Sequence, residues 1–84
     1  MYLRGTALES LGDLSNAARS YLDSFSGDPE STVAPDALFR LGVALGRLGQ
    51  VRDGCVTLNE VLVRFPTAPA AAEAQSAMAA LACQ

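Results

Sequence analysis

Residues 34–49 read APDALFRLGVALGRLG, and this stretch decides the fold. Leucines recur in it at intervals of three and four residues, at Leu38, Leu41, Leu45 and Leu48. Because an α-helix has about 3.6 residues per turn, this spacing places the leucines on one helical face. Gly49 follows the last leucine, where helices commonly end on a residue with a left-handed backbone. The stretch therefore predicts a helix with one apolar face and a defined end.

A second helix is predicted directly after Gly49. Its apolar stripe consists of Val51, Cys55, Leu58, Val61, Leu62 and Phe65. This spacing is again helical, and Pro66 ends the helix because proline lacks a backbone N–H and clashes with the preceding turn. The two helices and the short turn between them form one antiparallel helix pair.

The chain contains this pattern twice. A shift of 37 residues aligns identical residues, pairing Gly5 with Gly42, Leu8 with Leu45, Leu11 with Leu48, Gly12 with Gly49, Pro29 with Pro66 and Ala37 with Ala74. Self-similarity at such a period is typical of stacked helical units. We therefore predict an all-α fold, a superhelix of two antiparallel helix pairs followed by a C-terminal capping helix.

The predicted helices cover residues 1–12, 14–26, 33–48, 51–65 and 69–82. They form a single domain made of repeat one, repeat two and the capping helix, at about 1–32, 33–68 and 69–84. Pro35 and Pro69 suit first helical turns, which tolerate the missing N–H. Side-chain oxygens for N-caps are offered by Ser31, Thr32 and Thr67. Because the sequence opens directly in helical pattern, we expect a fragment of a longer protein.

Composition limits the classes of function. Fifteen alanines and only 6% aromatic residues favour helices over sheets. Six arginines, no lysine and nine carboxylates predict no cationic face for nucleic acid, and no segment predicts a membrane span. Without histidine or lysine the chain shows no known catalytic motif, so we predict neither an enzyme nor a cofactor site. No metal site is predicted, since Cys55 and Cys83 are far apart in sequence.

The repeated unit resembles the tetratricopeptide repeat. That family places large, small and proline residues at fixed offsets, matched here by Leu38, Leu41, Gly42, Leu45, Gly54, Leu58, Val61 and Pro66. Gly42 and Gly54 let the two helices approach closely, because a larger side chain would push them apart. Arg4 departs from the pattern, which prefers leucine at that position. The resemblance implies a stack of helix pairs that binds other proteins.

The link before the second unit is similar to a narrower family. Residues 34–38 read APDAL and follow Asp28-Pro29, as in the C-terminal domain of the Tol-Pal system cell-division coordinator family. This resemblance implies a periplasmic adaptor that coordinates outer-membrane constriction with peptidoglycan synthesis by binding TolA or the peptidoglycan synthase machinery. It also implies an upstream signal peptide, a further repeat and a coiled coil that makes the full-length protein oligomeric. The alternative is a structural repeat element of an outer-membrane assembly lipoprotein.

In the repeat family the first helix of each unit faces a concave groove. Carried over by position, the partner-binding residues are Tyr2, Thr6, Glu9, Phe39, Arg40, Val43, Arg47, Glu73, Ser76 and Ala77. Phe39 has two interpretations, since it points about 100° away from Leu38. It is either an additional core residue or an aromatic anchor flanked by Arg40 and Arg47, residue types common in interface hot spots.

Cys55 and Cys83 leave three states open from the sequence. They are small buried hydrophobic residues, a disulfide, or reactive thiols. The envelope resemblance favours the disulfide, because an oxidising periplasm allows it to form. Such a bond would tie the last helix to the second unit.

Overall fold

The computed structural model describes residues 13–28 and 30–83. In this part of the chain it contains four α-helices and no strand: α1 Leu14–Gly27, α2 Ala34–Arg47, α3 Val51–Arg64 and α4 Pro69–Ala80. The all-α prediction is confirmed, and the predicted bounds of these helices agree to within two residues. The helix predicted over 1–12 lies outside the described residues. Within them, no helix has the length and apolar character needed to cross a membrane.

The helix N-termini differ from the expectation. Among the four described helices, only α1 has the kind of cap predicted for the others: the N-cap Asp13 side chain accepts a hydrogen bond of 3.3 Å from the backbone N–H of Asn16. The N-cap residues of α2 and α4 are Val33 and Ala68, which make no such bond. The prediction that Ser31, Thr32 and Thr67 cap these helices was therefore wrong. Both helices have proline in the first turn, and proline already removes one unpaired N–H and presets the helical φ angle.

The turn between α2 and α3 is closed by Gly49. Its φ angle is +91°, in the left-handed region that favours glycine. The backbone N–H of Gly49 donates to Gly46 O at 3.1 Å, and that of Gln50 donates to Leu45 O at 2.9 Å. This pair of bonds is the Schellman arrangement, which satisfies carbonyls at a helix end. The predicted left-handed end of α2 is therefore confirmed, and α3 begins two residues later.

The antiparallel helices α2 and α3 touch at their glycines. A Cβ added at Gly54 would lie 2.9 Å from the carbonyl oxygen of Gly42, and one added at Gly42 would lie 2.7 Å from Leu58 Cγ. Both distances are shorter than packed atoms allow. The expectation that Gly42 and Gly54 permit close approach is confirmed, and Leu58 is fully buried over this contact.

The core is centred on α2, which packs against each of the other three described helices. The largest fully buried side chains are Tyr21 from α1 and Leu58 and Val61 from α3. The remaining core consists mainly of alanines, including Ala17, Ala34, Ala37, Ala44 and Ala74. Small side chains at these positions keep the helices close together, so the core is thin as well as tightly packed.

The C-terminal ends of α1 and α3 meet in an aromatic contact. The rings of Phe25 and Phe65 pack edge to face with centroids 6.3 Å apart. The guanidinium of Arg64 lies 5.5 Å from the centroid of Phe25 and also pairs with Glu60 at 2.8 Å. These contacts join α1 directly to the C-terminal end of α3.

Helix α4 is attached at both of its ends. Its first half buries Ala70, Ala71 and Ala74. After its last turn, Leu81 packs on Gly46, where an added Cβ would lie 2.7 Å from Leu81 Cδ1. Two residues further on, Cys83 forms a disulfide with Cys55 of α3, with the Cα atoms 5.7 Å apart. The cross-link therefore joins α3 to the segment that follows α4.

The glycine contact generates a first prediction. Gly54→Ala should lower the free energy of unfolding by about 1–3 kcal/mol, because the new methyl group meets the backbone of α2 rather than a movable side chain. Urea denaturation measures the loss. Gly27→Ala is the matched control, since nothing lies within 4 Å of an added Cβ there, and it should be neutral or stabilise by up to about 1 kcal/mol. Equal stability of the two variants would contradict the contact.

The disulfide generates a second prediction. It closes a loop with a sequence separation of 28 residues. The double change Cys55→Ala and Cys83→Ala should therefore lower the free energy of unfolding by about 3–4 kcal/mol, because the unfolded chain gains conformational entropy when the cross-link is absent. The same denaturation experiment with and without dithiothreitol checks it. The reductant should destabilise the wild-type chain and leave the double variant unchanged. A wild-type midpoint that does not respond to reduction would show that the bond adds no stability.

Candidate partner-binding groove

Helices α2 and α4 lie side by side and run in the same direction, with a groove between them. At their N-terminal ends they share a cleft of about 300 Å³, here called the N-terminal cleft, lined by Thr32, Pro35, Asp36, Ala68, Pro69, Ala70 and Glu73. At their C-terminal ends they share a cleft of about 180 Å³, the C-terminal cleft, lined by Val43, Arg47, Ala77, Ala80 and Leu81. The two clefts and the surface between them form the α2–α4 groove.

The groove follows the repeat of the sequence. Three pairs of residues that line a common cleft are separated by 37 positions: Thr32 and Pro69, Asp36 and Glu73, and Val43 and Ala80. This is the period at which the sequence aligns with itself. The first helix of the second unit and α4 therefore present equivalent positions to the same groove.

The two clefts differ in chemistry. The N-terminal cleft contains two carboxylates, those of Asp36 and Glu73. The C-terminal cleft has apolar walls from Val43, Ala80 and Leu81, with Arg47 beside them. A concave apolar site with a charged residue at its edge suits a side chain of a protein partner. The groove thus has one apolar end and one end with two carboxylates.

Arg40 links the groove to the core. Its Nε donates to Asp36 Oδ2 at 3.2 Å, and its guanidinium also hydrogen-bonds the hydroxyl of Tyr21, which is fully buried in α1. Burial disfavours the charged form of Arg40, but the hydrogen bond with Tyr21 and the charge of Asp36 outweigh it and raise the pKa of Arg40. Arg40 therefore stays charged and connects α1 to α2.

Phe39 has features of both roles considered for it, an additional core residue and an aromatic anchor. Its side chain is half-buried and packs against the core cluster. Part of its surface thus stabilises the fold, as an additional core residue would. The rest remains accessible on α2.

The other predicted site residues fall into three groups. Val43, Arg47 and Ala77 meet in the C-terminal cleft, and Glu73 lies in the N-terminal cleft. Ser76 is exposed on α4 and lines neither cleft. The positions predicted near the start of the chain, Tyr2, Thr6 and Glu9, lie outside the described residues.

Sequence reasoning missed several lining residues, notably Asp36, Ala80 and Leu81. The repeat period contained a signal for two of them, because Asp36 is 37 residues before Glu73, and Ala80 is 37 residues after Val43. Leu81 had no such signal. It reaches the cleft because the chain turns back over Gly46 after α4.

The geometry can be compared with known proteins. Residues 36–68 match the tetratricopeptide repeat family. The matched segment runs from the first turn of α2, through all of α3, to the link before α4. It supports a tetratricopeptide-repeat domain, and such repeats generally mediate protein–protein interactions and are typically non-catalytic scaffolds. Comparison with curated proteins and with solved structures found no match.

The buried polar contact generates a third prediction. Tyr21→Phe should lower the free energy of unfolding by about 1 kcal/mol, because it removes a hydrogen-bond partner from a guanidinium that remains partly solvated. A double-mutant cycle with Arg40→Met isolates the contact, and the two changes should couple by at least about 0.5 kcal/mol. Strictly additive losses in urea denaturation would show that the two side chains act independently.

Proposed function

We propose that this chain is a non-catalytic domain that binds a segment of another protein in the α2–α4 groove. The observation that carries the proposal is the parallel placement of α2 and α4, with an apolar cleft at one end and a carboxylate-bearing cleft at the other. The match of residues 36–68 to a family of protein-binding repeats supports it. In this proposal the chain has two helix pairs, and α4 acts as the capping helix.

The C-terminal cleft is the proposed anchor point of the partner. Val43, Ala77, Ala80 and Leu81 would contact an apolar side chain, and Arg47 would contact a polar or acidic group beside it. The wider set of proposed contacts is Tyr2, Thr6, Glu9, Phe39, Arg40, Glu73 and Ser76. Of these, Arg40 also has the structural role in the contact with Tyr21.

We further propose that the domain acts in the periplasm as an adaptor of the Tol-Pal system. The support is the resemblance of the link at residues 28–38 to that family. The disulfide between Cys55 and Cys83 is consistent with an oxidising compartment. The proposed partners are TolA and the peptidoglycan synthase machinery, and the proposed role is to couple outer-membrane constriction to wall synthesis in cell division.

Two adjacent alanines allow a fourth prediction. Ala80 and Ala79 are both exposed on α4, but only Ala80 lines the C-terminal cleft. Ala80→Glu should weaken binding to the purified periplasmic part of TolA at least about tenfold, because it places a carboxylate among apolar walls. Ala79→Glu adds the same charge one residue away and should bind like the wild type. Isothermal titration calorimetry measures both affinities, and circular dichroism verifies the helix content.

The outcomes separate the parts of the proposal. Equal affinity of the Ala80→Glu and Ala79→Glu variants would reject the cleft as the anchor point. An absence of binding by the wild-type chain, tested against TolA and against purified peptidoglycan synthase domains, would reject the Tol-Pal role.

A further inference from the structure

The wall of the C-terminal cleft is built by the segment that the disulfide holds. Leu81 lines the cleft and packs directly on the backbone of Gly46. Cys83 follows two residues later and is bonded to Cys55 of α3. The position of Leu81 therefore depends on a short piece of chain with a covalent attachment at its end.

Other contacts hold this segment weakly. The buried residues of α4 are Ala70, Ala71 and Ala74, all in its first half. In the second half and the residue after it, Ala77, Met78 and Leu81 pack against the core but are only half-buried, and Ala79 and Ala80 are exposed. The second half thus has few buried apolar contacts, which is the character of a region that opens locally.

The backbone after α4 is also unfavourable without an additional constraint. Ala82 has a φ angle of 57°, in the left-handed region that residues other than glycine rarely adopt. The turn is completed by the backbone N–H of Cys83, which donates to Met78 O at 2.9 Å. A second bond, from the backbone N–H of Ala82 to Ala79 O at 3.1 Å, also supports the turn, and the disulfide from Cys83 to α3 adds a covalent constraint to these two hydrogen bonds.

The disulfide is accessible from outside. Cys55 lines an open cleft of about 290 Å³ between α3 and α4, together with Val56, Asn59, Glu60 and Met78. This cleft is distinct from the two in the groove. A reductant can therefore approach Cys55 through this cleft without entering the proposed partner site.

We propose that the Cys55–Cys83 disulfide is a redox switch that controls the C-terminal cleft. In the oxidised chain, the bond holds residues 81–83 against α3 and keeps Leu81 on Gly46. In the reduced chain, residues 81–83 and the last turn of α4 open, and the cleft loses the wall formed by Leu81. The effect on partner binding rests on the proposed function of the groove; the structural change does not.

The reductant is a dithiol. Its thiolate attacks Cys55 Sγ, forms a mixed disulfide and expels Cys83 as a thiolate, which takes up a proton. The second thiolate of the reductant then attacks the reductant's other sulfur, which is bonded to Cys55 in the mixed disulfide. Cys55 leaves as a thiolate and also takes up a proton. The reductant leaves as a disulfide, and the protein has gained two electrons and two protons as two thiols.

Hydrogen–deuterium exchange of the whole chain, with and without dithiothreitol, tests the structural change. Reduction should accelerate exchange of the amides at residues 77–83 at least about tenfold more than the loss of global stability alone does for residues 34–64, so that 34–64 remain the better protected part of the reduced chain. The double change Cys55→Ser and Cys83→Ser should reproduce the reduced pattern without reductant. Unchanged exchange at 77–83 would overturn the proposal. Equal protection of residues 77–83, α2 and α3 in the reduced chain would also overturn it, because residues 77–83 would then open only when the whole fold unfolds.

A second variant tests the role of Ala82. Ala82→Gly accepts the left-handed φ without cost, so its reduced form should keep more protection at 77–83 than the reduced wild type. Methyl NMR of selectively labelled chain reports on the cleft itself. The resonances of Val43 and Ala77 should shift on reduction, whereas those of Ala17, fully buried in α1, should not. Unmoved Val43 and Ala77 resonances would show that the cleft does not respond.

Calorimetry with the periplasmic part of TolA connects the switch to the groove. Reduction should weaken binding of the wild-type chain at least about fivefold and leave the Cys55→Ser, Cys83→Ser chain unaffected. Equal affinity of oxidised and reduced wild-type chain would overturn control of the groove. If the oxidised chain binds no partner but exchange at 77–83 responds to reduction, the proposed function fails and the structural switch stands.

Discussion

The contact between Gly42 and Gly54 is the constraint on which the other packing depends. A Cβ at Gly54 would lie 2.9 Å from the carbonyl oxygen of Gly42, so the backbones of α2 and α3 touch at this point. Because no side chain separates them, Leu58 is pressed over Gly42 and fully buried. Once this pair is formed, α2 offers the surfaces against which α1 and α4 pack.

Close packing through small residues buries less apolar surface than packing through large ones. Stabilisation by burial grows with the apolar surface removed from water, and an alanine contributes far less than a leucine. Helix α4 buries only alanines along its length, so its C-terminal end needs other attachments. Leu81 on Gly46 and the cross-link from Cys83 to Cys55 provide them. Leu81 also lines the C-terminal cleft, and Cys83 follows it by two residues, which joins the stability of α4 to the shape of the proposed binding site.

The proposed groove also depends on polar contacts within the scaffold. Arg40 lies on the helix that forms one wall, yet it bonds Asp36 in the N-terminal cleft and the buried hydroxyl of Tyr21 in α1. Part of its charge is therefore balanced by Asp36 of the same helix. Arg47, at the other end of α2, borders the apolar cleft. Each arginine follows a leucine of the apolar face by two residues, Leu38 and Leu45 respectively. Their surroundings in the fold nevertheless differ.

The amino-acid sequence by itself determined the helices, their order and their period of 37 residues, because local spacing of apolar residues and the placement of glycine and proline control these features. Gly49 shows this well, since its left-handed φ of +91° was predictable from its position alone. The tertiary structure alone decided which residues face each other across the groove. In the sequence, nothing but the repeat period distinguishes Asp36 and Ala80 from other surface residues of a helix. They line the two clefts because α4 lies parallel to α2. Spacing also left three states open for Cys55 and Cys83, because residues 28 positions apart come within bonding distance only when α4 packs on α3.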